Sequence, residues 1–104
     1  SSDLRFLPGM TWENRGRHSC DERRWNGDHL IPLMGEVDGE RVFDYSRKED
    51  CAVAWNYRNL RPLWALENVI KSNRVPHWDT IPPELQAICT PRIRALLQKV
   101  KKTA

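Results

Sequence analysis

The plainest periodicity lies in the last third of the chain. Ile93, Leu96, Leu97 and Val100 recur at helical spacing, directly after Thr90-Pro91. That pairing of a capping residue with a proline predicts a helix from about residue 91. Thr80 is placed to cap an earlier helix that begins at the Pro82-Pro83 pair. Leu63, Leu66 and Ile70 form another apolar stripe, with Pro62 suited to the first turn and an end near Asn73. Trp64, Asn68 and Lys71 fall on a different face of that helix. Ser46 and Glu49 make a capping-box pair and predict a short helix through Ala54. Trp55 to Leu60 is aromatic and reads as extended.

The first half is poorer in periodic signal. Residues 1–24 are loop-rich, with Pro8-Gly9, Asn14 and Gly16 as breakers. Residues 23–31 read as a short strand that stops near Pro32, because proline cannot donate to a ladder. Val37-Asp38-Gly39-Glu40 is a turn between two short extended pieces. There is no internal repeat and no low-complexity segment. The elements together predict an α+β fold.

The 104 residues suffice for one domain, and only 39% of them are apolar. The core is therefore small, and the five tryptophans are expected to contribute much of it; Trp12, Trp25, Trp55, Trp64 and Trp78 are all assigned to core or supporting positions. No apolar run approaches the roughly 20 residues of a membrane helix. Ser1 to Gly9 lacks an apolar stretch of the signal-peptide kind. The expectation is an intracellular protein without membrane association. Cys20, Cys51 and Cys89 show no C-x-x-C spacing, which predicts isolated thiols in a reducing compartment. Zinc held by His18, Cys20 and Cys51 fits no standard spacing. His18 and His77 read as surface residues.

The net charge is +3. Arg92, Arg94, Lys99, Lys101 and Lys102 lie in residues 91–102, which contain no acid; the remaining 12 basic residues face 14 acidic ones. Such a segment can neutralise phosphates or form a solvated helix face, and charge alone does not choose between them.

Two segments carry chemistry. Trp25 to Leu33 contains Asp28-His29, a hard oxygen donor beside an imidazole that can serve as a general base. The second runs Asn59-Leu60-Arg61-Pro62-Leu63-Trp64-Ala65-Leu66-Glu67-Asn68-Val69-Ile70-Lys71. In this order, DHLIPL followed by NLRPLWALENVIK resembles the HNH (His-Me finger) endonucleases, of the compact kind common in phages and large DNA viruses. The likeness covers residues 25–73, with Met10 to Gly16 as a weaker extension. It implies a single domain: an N-terminal arm (1–24), a ββα-metal core (25–73) and a C-terminal helical extension (74–104).

The resemblance implies roles residue by residue. His29 matches the general base that deprotonates water. Asp28 and Asn68 match the metal ligands, a carboxylate and an amide oxygen, in an H-N-N variant. Asn59 completes the catalytic set as the structural asparagine that bonds backbone groups and holds the loop after the first strand. Lys71 matches a basic residue suited to phosphate, and Arg58, Arg61 and Arg74 flank the same region. Outside the resemblance, the basic segment 91–102 is expected to bind the DNA backbone non-specifically and adds Arg92 and Arg94 as candidate DNA contacts. The implied cofactor is a divalent metal, Mg2+ with Mn2+ as a substitute, and the implied products carry 5′-phosphate and 3′-hydroxyl ends.

Two departures from the family stand out. His18 to Arg24 looks like an insertion, and Asn26 replaces a common histidine. Asparagine at position 68 also disfavours soft metals such as zinc or nickel. The expected function is hydrolysis of DNA phosphodiesters. The alternatives are a nucleic-acid-binding module that does not cut, and a nuclease subunit that needs a phage or viral partner protein.

Overall fold

Asp38 and Gly39 both adopt positive φ, 52° and 81°. A two-residue type I′ turn requires this at its two central positions, and Asp-Gly tolerates it. The turn closes an antiparallel hairpin of β2 (Glu36–Val37) and β3 (Glu40–Arg41), with Glu36 opposite Arg41. The hairpin belongs to a computed structural model that describes residues 6–15, 25–64, 71 and 74–102. Across those residues the protein is a mixed α+β chain with two two-stranded sheets and a few short helices. Two compact units are present. One comprises Ser1–Asp28 with Leu60–Ser72, the other His29–Asn59 with Asn73–Ala104.

The second unit holds the hydrophobic core. After the hairpin come α1 (Lys48–Ala54), a 3₁₀ turn (Tyr57–Asn59), a second 3₁₀ turn (Trp78–Thr80), α2 (Pro83–Gln86) and α3 (Pro91–Lys99). Helix α3 begins where the sequence predicts. The Thr90 hydroxyl accepts from the Ile93 N–H at 3.2 Å, and Pro91 occupies the first turn, where its missing N–H costs nothing. Ile93, Leu96 and Leu97 are buried against Ile31, Val42, Phe43, Val53 and Leu85, with Val100 at the edge.

Four local expectations fail here, the first three because a nearer partner wins. The Ser46 capping box does not form: α1 starts at Lys48 with Arg47 as an N-cap that makes no side-chain bond. The Ser46 hydroxyl and N–H both donate to Asp44 Oδ1 instead, at 2.6 and 3.0 Å. Those bonds hold the Asp44 carboxyl below its ordinary pKa. Trp55 to Leu60 is not extended, because Asn56 Oδ1 accepts from the Arg58 N–H at 2.9 Å and the chain turns at Tyr57–Asn59. Thr80 does not cap α2; it ends the preceding turn and donates to the His77 carbonyl at 2.7 Å. His77, expected on the surface, is largely covered, and its Nδ1 accepts from the Asp79 N–H at 3.0 Å.

Gly35 is buried in this unit. A Cβ there would lie 2.7 Å from Val75 Cγ2 and 3.3 Å from the Pro32 carbonyl oxygen. Gly35→Ala should therefore destabilise the protein by about 1–3 kcal/mol through overpacking. Adding Val75→Ala should recover part of that loss in thermal unfolding followed by circular dichroism. A cost unchanged by the second substitution would place the strain elsewhere.

The first unit contains β4 (Leu60–Trp64) and, up to Asp28, β1 (Trp25–His29), which pair as a two-stranded sheet. Pro62 is inside β4 and does not open a helix, correcting the sequence reading. Both strands of a two-stranded sheet are edges, so a residue without an N–H is tolerated. Leu63 is buried while Leu60 and Arg61 are exposed. Lys71 is helical. Leu66 and Ile70 of the predicted stripe, the candidate metal ligand Asn68, the Trp64 side chain, His18 and Cys20 lie outside the described residues.

Trp25 is buried, and its indole Nε1 donates to the Thr11 carbonyl at 2.6 Å. Trp78 packs partly buried against the core of the second unit. Trp12 and Trp55, by contrast, are 54% and 63% exposed, so neither is a core residue. Cys51 and Cys89 are free thiols, and burial pushes the Cys89 thiol up to about 11. Among the described residues no helix is long and apolar enough to cross a membrane.

Candidate functional site

In the first unit, β1 carries Asp28 into a buried position. Its Oδ2 lies 3.2 Å from Lys71 Nζ and 3.7 Å from Arg61 Nε. Both cations face this carboxylate, yet neither meets hydrogen-bond geometry, and Oδ2 accepts no hydrogen bond among the described residues. A buried carboxylate oxygen balanced by charge but left without a donor is expensive to maintain for stability alone. It is also the kind of hard oxygen that magnesium takes.

Among the described residues, no three His, Cys, Asp or Glu side chains gather into a metal-holding group. Asp28 with one amide oxygen would be sparse protein ligation, which suits a largely hydrated magnesium ion and not a soft metal. A cation on Oδ2 would compete with Lys71 and Arg61 for the same charge.

In the second unit, Asn59 is fully buried and works as a clamp. Its Oδ1 accepts from the Ile31 N–H at 2.8 Å. Its Nδ2 donates to the carbonyls of Ile31 and Ala54 at 3.1 and 3.2 Å. Its own carbonyl accepts from the Leu30 N–H at 2.8 Å. The two residues that follow His29 are thus tied to one side chain and its backbone, which orients the chain that presents the imidazole. The His29 ring is half-buried and meets Trp55 edge-on, with centroids 5.9 Å apart and planes at 90°.

The candidate phosphate contacts divide by what they already touch. Arg58 lies over the Tyr57 ring at 4.6 Å, and Arg74 is exposed. Arg94 lies 5.3 Å over the Trp78 ring, and Lys102 pairs with Asp79 at 2.5 Å. Lys99 and Lys101 are exposed.

Arg92 is a tether. Its guanidinium meets the buried Asp50 carboxylate at 3.0 Å, Glu40 at 3.0 Å, and the carbonyls of Val42 and Arg41 at 2.9 and 2.6 Å. A phosphate could reach it only by displacing those partners. Nothing in the residues around position 92 signals this, because the partners lie 42 to 52 positions away. Arg92→Leu should cost about 3–5 kcal/mol, since it strands the Asp50 charge in the interior. Urea unfolding would measure the loss, and Asp50→Asn in the same chain should restore part of it. A cost below about 0.5 kcal/mol, the range of ordinary surface changes, would contradict the tether.

No protein-family model matches the chain, and no solved structure matches it. It is similar to the uncharacterized protein L426 of Acanthamoeba polyphaga mimivirus, 32% identical over 73 residues. The aligned stretch is 70% of this chain, and the chain spans about a quarter (26%) of that relative's length.

Proposed function

We propose that the chain is a metal-dependent endonuclease of the HNH type that hydrolyses DNA phosphodiesters around a ββα-metal finger. The observation that carries this reading is Asp28 Oδ2, buried, facing Lys71 and Arg61, and accepting no hydrogen bond among the described residues, on the residue directly before His29 in the chain. The paired strands β1 and β4, with Lys71 helical after them, are consistent with a strand–strand–helix order.

In this mechanism His29 takes a proton from water, and the water oxygen attacks phosphorus. The bond to the 3′ oxygen breaks, leaving a 5′-phosphate and a 3′-hydroxyl once that oxygen is protonated by solvent. Asp28 and Asn68 are the residues that would hold Mg2+ or Mn2+. A bound divalent cation polarises the phosphodiester and stabilises the leaving oxygen. Asn59 keeps the backbone after His29 in place. Lys71, Arg61, Arg58 and Arg94 supply positive charge for the DNA backbone, which positions without reading sequence. Arg92 supports the fold.

A second reading draws on the pairing of Lys71 and Arg61 with Asp28. A carboxylate already balanced by two cations favours a nucleic-acid-binding module without chemistry, or a subunit that a partner protein must rearrange. Incubation with supercoiled plasmid separates these. The nuclease converts it to nicked or linear DNA with Mg2+ or Mn2+ and not with EDTA. DNA binding without cleavage under any metal would transfer the conclusion to the second reading.

A further inference from the structure

The first unit contains a cavity of about 270 Å³ that the catalytic scheme does not use. Phe6, Trp12 and Trp25 line it, together with Leu60 and Pro62. Their rings interlock: Phe6 lies 5.2 Å from Trp12 and 5.0 Å from Trp25, and Trp12 lies 5.9 Å from Trp25, all tilted or edge-on. The walls are braced before any ligand arrives. Trp25 is held by the Thr11 carbonyl through its indole N–H and by Asn14 through its backbone N–H. Asn14 Oδ1 accepts from the Thr11 N–H at 2.7 Å, and its Nδ2 donates to the Gly9 carbonyl at 2.9 Å.

Among the described residues the charged lining is Arg15 and Arg61, both exposed, and no carboxylate joins them. Aromatic walls beside two guanidinium groups suit a flat ring attached to an anion. Its volume falls just below the roughly 300–1,000 Å³ of sites for drug-sized ligands, which fits one base with its sugar. Arg61 also faces Asp28 at 3.7 Å, so a phosphate held by Arg61 would be on the carboxylate's side of the cavity.

We infer that this cavity takes one unpaired nucleotide of a DNA strand, its base among Phe6, Trp12 and Trp25 and its phosphate on Arg15 and Arg61. As a substrate class, this rests on the nuclease reading and makes single-stranded or locally opened DNA the preferred target. A base within a duplex has its faces covered and must first be unstacked, whereas a single strand offers them directly.

The test is fluorescence anisotropy of the full chain with labelled DNA of about 12 nucleotides, in EDTA and at one fixed salt concentration. Single-stranded DNA should bind at least about tenfold tighter than duplex of the same length. Trp12→Ala should weaken single-strand binding by about 5–100-fold and leave duplex binding nearly unchanged. Trp12 is more than half exposed, so the fold should survive the change. Trp12→Phe should restore most of the affinity, and Arg15→Gln should lower it and reduce its salt dependence.

Equal affinity for single and double strands would overturn the inference. So would a Trp12→Ala loss shared equally by both, or deoxyadenosine monophosphate binding as tightly as the oligonucleotide, which would make this a free-nucleotide site. Because EDTA blocks metal-dependent cutting, the two proposals fail separately. Ring-dependent single-strand binding by a protein that never cuts plasmid sinks the nuclease alone. Plasmid cutting without strand preference sinks the pocket alone.

Discussion

Replacing His29 by alanine should lower the initial rate of metal-dependent plasmid nicking by about 10²–10⁴-fold, the usual contribution of a general base. The fold should persist. His29 is half-buried, and among the contacts it loses is an edge-on pairing with the exposed Trp55 ring. That pairing is worth about 0.5–1.5 kcal/mol beyond area burial, and its loss lowers the melting midpoint by several degrees. DNA affinity measured in EDTA should change little, because the removed group acts on water and not on the backbone charges. Added imidazole should recover part of the lost rate, a response that a merely structural histidine would not show. A variant that nicks plasmid at the wild-type rate would remove His29 from the mechanism.

Asn59→Ala should destabilise the second unit by about 3–5 kcal/mol. The side chain serves three backbone groups at once: the Ile31 N–H, the Ile31 carbonyl and the Ala54 carbonyl. Each becomes a buried polar group without that partner, and the site cannot admit water without opening the core around Ile31 and Ala54, both fully buried. Asn59→Asp tests the same geometry differently. It keeps an acceptor for the Ile31 N–H but turns an oxygen toward two carbonyls, so it should also destabilise despite its matching shape. Urea unfolding by circular dichroism would measure both. A loss under about 0.5 kcal/mol for either would mean that the clamp does not hold the segment after His29.

The candidate site was only partly legible in the residues. Asp28 and His29 were found from their chemistry and from the family pattern, and Asn59 from the same resemblance. That Lys71 and Arg61 both face Asp28 is not visible in the motif, because spacing along a chain does not report which cations fold toward a carboxylate. The exposure of Trp12 and Trp55 also ran against the composition. A small core invites every tryptophan inside, yet Ile31, Val42, Phe43, Leu85, Ile93 and Leu97 fill the second unit. The aromatic cavity went unread because it joins residues 6–15 to residues 25–27 and 60–62.

Local signals determined what short stretches of backbone must do. Asp38-Gly39 specified its turn because the two positive φ angles depend on those residues alone. Thr90-Pro91 specified the start of α3, and the apolar spacing after it specified which face is buried, because cap and stripe lie within three turns of one another. Tertiary structure decided the rest. It made Pro62 a strand residue, because a paired edge was available to Leu60–Trp64. It made Arg92 a tether, because folding brought Asp50, Glu40 and the carbonyls of Arg41 and Val42 to its guanidinium. The physical reason is the same in each case. Backbone preference is a property of neighbouring residues, whereas the partner of a polar or charged side chain is whatever distant segment packing delivers to it.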